Sequence, residues 1–139
     1  MMLTVVVAGI LGTLAVSSYT RFVQTAKNAS AISDLAKIKS LIDRYRLNNN
    51  DAVPSSLADI NAAGMLDPWG HAYVFLNFST VHGNGHKRKD RNLVPINSQY
   101  DLYSMGANGR SASPLTAAVS RDDLIVANDG AFIGLASDY

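Results

Sequence analysis

The sequence predicts an α+β fold in which one long N-terminal helix packs on a small antiparallel sheet. Three observations carry that expectation. No proline precedes Pro54, and the chain up to Leu47 is first apolar all round and then amphipathic at helical spacing. Beyond Gly70, short apolar runs recur between breaks rich in glycine, asparagine and proline, as antiparallel strands do. A chain of 139 residues, 47% of them hydrophobic, suffices for one modest core without a staple. There is no cysteine, which excludes disulfides, thiolate metal sites and a cysteine nucleophile. A net charge of +1 implies no general attraction to nucleic acid or anionic lipid.

Residues 1–20 form the first unit. No charge appears before Arg21, so the opening could cross the hydrocarbon of a bilayer, which takes about 20 apolar residues. It has no basic opening residue and its apolar register runs on past Arg21, so it reads as a retained anchor instead of a cleaved signal. Gly9 and Gly12 would each cost a helix in water about 1 kcal/mol relative to alanine. In lipid the helix persists, because unpaired backbone is costlier there. Both glycines mark places where a neighbouring helix can approach closely.

Residues 21–50 form an amphipathic stalk. Ala31, Leu35, Ile38, Ile42 and Tyr45 recur at spacings of three and four, Leu41 widens the stripe, and the charged residues fall mostly off it. Arg44 and Arg46 suit the end of the helix dipole, and Asn48–Asn50 reads as the stop. At about 1.5 Å per residue the helix would be about 70 Å long. Its front half must project.

Residues 51–139 read as the globular domain. Ser55 or Ser56 would cap a short helix that ends before Gly64. Asp67-Pro68-Trp69-Gly70 is a tight turn. His71 to Phe78 is a strand, His82 to Asn92 a basic surface loop, and Leu93 to Ser104 a second strand. Ser111 to Ser120 is another loop. Leu124 to Ala127 and Ala131 to Leu135 are short strands joined through Asn128-Asp129-Gly130.

Several of these residues, in this order, resemble the type IV pilin superfamily, and most closely the major pseudopilins of type II secretion systems. Met1 to Tyr19 is similar to the pilin N-terminal segment, with Gly9, Leu14, Ala15 and Tyr19 at matching places. Tyr45-Arg46-Leu47-Asn48 with Val53-Pro54, then the Asp67-Pro68-Trp69-Gly70 signature, then Asp101 to Gly109, resemble successive pseudopilin motifs. By alignment the family's glutamate would fall immediately before Met1, so the sequence is expected to start a few mature residues, and a leader, late. Ser17 stands where the family usually has proline.

The resemblance implies a pilin-like fold and a filament subunit that is no enzyme. Assembly would use Met1, Leu3, Val6, Gly9, Ile10, Gly12, Leu14 and Tyr19. It implies self-association as a helical homopolymer, with a prepilin peptidase, an assembly ATPase and a platform protein as partners. The location implied is the bacterial inner membrane before assembly and a periplasmic or extracellular filament afterwards. It further implies calcium, with Asn108, Asp122 and Asp123 as hard oxygen ligands and Leu102 and Ser104 adding oxygen. Asn108 is neutral where the family commonly carries a charge. The plainer reading makes Asn108 a turn residue and the aspartates loop caps.

Other chemistries find less in the sequence. His82, His86, Lys87, Arg88 and Lys89 share one loop, whose charge would repel a metal cation. That loop could face outward to bind DNA or surface polyanions, as in a surface adhesin, although no nucleic-acid partner is expected. No nucleophile elbow, paired carboxylates or phosphate loop appears. Trp69 reads as a packing residue. The remaining alternative to a filament subunit is a membrane-tethered calcium-binding module.

Overall fold

The computed structural model describes residues 2–139, apart from the side chains at 2–4 and 13–15. Helix α1 spans Met2–Asn48. It stops where expected, through backbone geometry: Asn50 and Asp51 adopt left-handed conformations, with φ of 53° and 63°. The Asn49 side chain donates to the Tyr45 carbonyl at 2.8 Å. Arg46 pairs with Asp51 at 2.6 Å across the turn.

Four strands follow, β1 (Val74–Asn77), β2 (Tyr100–Ser104), β3 (Leu124–Ala127) and β4 (Phe132–Leu135). They form one antiparallel sheet in the order β1-β2-β3-β4. Because side chains alternate along a strand, the sheet has two different faces. Tyr100, Leu102, Leu124 and Val126 join Ala31, Leu35, Ile38 and Ile42 of α1 in the larger core. Ile125 and Ala127 point the other way, into a second core with Ile96, Leu115 and Ala136. Leu35, Ile38 and Ile42 are fully buried, and each contributes about 1.5–3 kcal/mol by leaving water. The helix stripe is thus one wall of the domain.

A 3-10 turn over Leu57–Ile60 closes one end of the larger core with Leu57 and Ile60. Ser56 is its cap: its hydroxyl accepts from Ala58 N–H, and Asp59 reaches back to Ser56 N–H at 3.1 Å. The turn ends earlier than Gly64, at Asn61, whose left-handed φ of 57° lets its N–H bond back to the Ala58 carbonyl at 3.0 Å. Asparagine adopts that conformation readily.

Two strand expectations shrink. The segment from His71 begins pairing as a strand only at Val74, because His71 still closes the turn by accepting from Asp67 N–H at 2.8 Å. Residues 93–99 are irregular, since Asp90 and Leu93 pair with each other and Pro95 has no N–H to offer a ladder. The last break is a tight turn, with Asn128, Asp129 and Gly130 all at positive φ. Strand β4 lies at the sheet edge, and Tyr139 folds back to donate to Asn128 at 2.7 Å.

Candidate functional site

Two regions bear on function: the projecting half of α1 and the cluster beneath the sheet's second face. The projecting half is apolar yet exposed. Val5, Leu11, Val16, Tyr19 and Phe22 each show 60% or more of their surface. The segment is long and apolar enough to cross a membrane, and its most apolar window is not buried at all. Of the expected assembly residues, Val6, Ile10 and Tyr19 lie on this exposed helix. Gly9 and Gly12 have open space where a Cβ would stand, in a shallow groove shared with Ala8, Val16 and Ser17. Met1 and the side chains of Leu3 and Leu14 lie outside the described residues.

The second region is built on Arg88. A basic loop was expected to face its charges outward, and His82 and His86 are exposed. Arg88 is not: it is 2% exposed and its guanidinium points inward. Its Nη2 donates to Asp123 Oδ2 at 2.6 Å, and Nη1 donates to the Ala112 carbonyl at 2.8 Å and to the Ser111 hydroxyl. The ring of Tyr103 lies 4.4 Å from its guanidinium carbon. Its own N–H donates to buried Asp101 Oδ2 at 2.7 Å. The reason for the inward turn is electrostatic. Asp123 is fully buried at the head of β3 and needs a cation to remain charged there.

Burial pushes the Asp101 and Asp123 carboxyls up from the ordinary aspartate value. For Asp123 the Ser111 hydroxyl and the Arg88 charge oppose that rise. Asp123 Oδ1 and Arg88 Nε are buried without a hydrogen bond. They are an acceptor and a donor of one ion pair.

Each of the five residues implied for calcium is engaged by other groups of the chain. Leu102 lies mid-strand in β2, registered with Phe75 on one side and Val126 on the other. The Ser104 hydroxyl donates to Asp67 Oδ2 at 2.6 Å. Asp123 faces Arg88 and the Ser111 hydroxyl, 2.5 Å away. Asn108 does meet Asp122, but through nitrogen. Its backbone N–H donates to Asp122 Oδ2 at 2.9 Å, and its side-chain Nδ2 donates to Asp122 Oδ1 and, at 3.0 Å, to the Val119 carbonyl. Its oxygen is engaged by Arg110 N–H at 2.6 Å. Among the described residues, no three histidine or carboxylate side chains gather as metal ligands.

Asp67 emerges as a hub that the sequence showed only as a turn residue. Its Oδ1 accepts from Trp69 N–H at 3.1 Å and His71 N–H at 2.9 Å, while Oδ2 takes the Ser104 hydroxyl. The turn is thereby locked to β2. Trp69 packs partly buried against the larger core, with Lys27 6.0 Å from its ring. No sequence signal marked the Arg88–Asp123 pair, because the partners stand far apart in the chain on either side of a loop.

No family model matches the chain, and no solved structure matches it. Among curated proteins it is similar to the type II secretion system core protein G of Escherichia coli (strain K12). The two are 26% identical over 128 residues, covering 78% of this chain and 77% of the relative. Motif order, the helix-on-sheet architecture and this relative together bear out the likeness of the chain to the major pseudopilins of the type IV pilin superfamily.

Proposed function

We propose that the chain is a structural subunit of a type II secretion pseudopilus and polymerises through its N-terminal apolar helix. One observation carries this: among the described residues, the apolar side chains in the front half of α1 are exposed, and neither core of the domain draws on them. Such a surface must be covered, first by lipid and then by the same helix of other subunits. Each Å² kept from water is worth about 25 cal/mol. The open flank at Gly9 and Gly12 lets a neighbouring helix come close.

The subunit waits in the inner membrane until the filament takes it up, and self-association is its main contact. A prepilin peptidase, an assembly ATPase and a platform protein would serve it, and no catalytic role is assigned. The test is electron microscopy of cells and of sheared material, comparing the natural chain with Leu11→Arg. Filaments containing the natural chain, lost in the variant while the domain melts unchanged, are expected. A natural chain that stays a detergent-soluble monomer at high concentration would overturn the proposal and favour a membrane-tethered module.

A further inference from the structure

We propose that the C-terminal loop of this domain is fastened without a metal, the Asn108 amide and the Arg88 guanidinium supplying the positive ends that a divalent cation would otherwise provide. The loop over residues 105–123 contains two adjacent aspartates, and the chain has no cysteine to staple it. Each aspartate meets a nitrogen donor of the chain itself.

At Asp122 the donor is Asn108. The carboxylate and the Val119 carbonyl are hard oxygens of the kind calcium takes, and both receive the Asn108 Nδ2 protons. The orientation of that amide follows from its neighbours. Its oxygen side faces the Arg110 N–H donor and its nitrogen side faces two acceptors, so turning it over would oppose like to like at every contact. The approach of the two strands of the loop is built into the backbone. Gly106 sits at φ 63°, and a Cβ there would stand 2.1 Å from the Asp122 carbonyl oxygen.

At Asp123 the donor is Arg88, delivered from the preceding loop. One side chain bridges Asp123, Ser111 and the Ala112 carbonyl, joining the two loops to the head of β3. A guanidinium is a permanent cation with several donors in a plane, so this clasp needs nothing from the surrounding medium.

The inference concerns the fold of the domain and stands whether or not the chain forms filaments. It is tested on the full chain in a mild non-ionic detergent, by thermal unfolding with EGTA and with millimolar calcium chloride. A domain held by calcium would gain about 10 °C or more at a hundredfold excess over Kd. The natural chain is expected to melt at the same temperature in both. Asn108→Asp sets a second carboxylate against Asp122 and the Val119 carbonyl, and should lower the melting temperature in EGTA by about 5 °C or more. Calcium should restore that variant, because three hard oxygens then face one another. A calcium-dependent rise in the natural chain overturns the proposal without any variant, and so does an Asn108→Asp variant that melts in EGTA like the natural chain.

Discussion

The two faces of the sheet are held by different physics. Toward α1 the contact is mainly apolar, with Leu35, Ile38 and Ile42 of the helix in one core with Leu102, Leu124 and Val126. Beside them the Tyr73 hydroxyl donates a hydrogen bond to Asp34 at 3.0 Å. On the opposite face a smaller apolar core is covered by irregular chain, and the cover is tied down by buried polar groups: Arg88, Asp101, Asn97 and Asp123. Asn97 shows the style of that face. Its amide donates to the Val126 carbonyl at 2.9 Å and to Asp101 Oδ1 at 3.2 Å, and its oxygen accepts from Asp129 N–H at 2.9 Å. A regular helix satisfies its own backbone and can offer a purely apolar side. Loops cannot, so loops that cover a core must bring polar side chains inside to meet the sheet and one another.

The largest expected effect is on the loop face. Arg88→Met leaves Asp123 buried without its cation and should cost about 3–5 kcal/mol in urea unfolding of the full chain in detergent. Adding Asp123→Leu to that variant should recover most of the loss, because no charge is then stranded. A double variant as weak as the single one would show that the polar ties, and not the charge alone, position the loops. On the helix face, Leu35→Ala should cost about 2–5 kcal/mol in the same measurement, through lost burial and the cavity left behind. A much smaller loss would mean that the helix adapts and the sheet is supported chiefly from the loop side.

The smallest effect concerns the turn at the edge of the helix-side core. The Ser55 hydroxyl, then the backbone N–H groups of Ser56 and Ser55, hold the Asp59 carboxyl below the ordinary aspartate value. A carboxyl lower in the folded than in the unfolded chain contributes stability above its unfolded value, and loses it as pH falls through the folded value. NMR titration of Asp59 should give a midpoint below that of an ordinary aspartate. A midpoint at the ordinary aspartate value would show that the cap is open in solution.

The helix face was legible because its information is local. Ala31, Leu35, Ile38 and Ile42 announce a buried stripe by spacing alone, and the proline-free run around them announces its length. The Asp67-Pro68-Trp69-Gly70 turn and the Asn128-Asp129-Gly130 turn were legible for the same reason. The loop face was not. Arg88 stands between two other basic residues, and in sequence it is indistinguishable from Lys87 and Lys89, which are only partly covered. Asn108 has two hydrogen-bonding ends, and only its neighbours in space decide which end meets Asp122.

The sequence by itself therefore determined the long helix, its apolar projecting half, its buried stripe and the class of the domain behind it, since each rests on periodicity or on the backbone preferences of neighbouring residues. The tertiary structure alone decided which charges go inside and what fastens the C-terminal loop. Those outcomes depend on pairs such as Arg88 with Asp123 and Asn108 with Asp122. A buried charge selects its partner by proximity in the folded chain, and no spacing along the sequence records that choice.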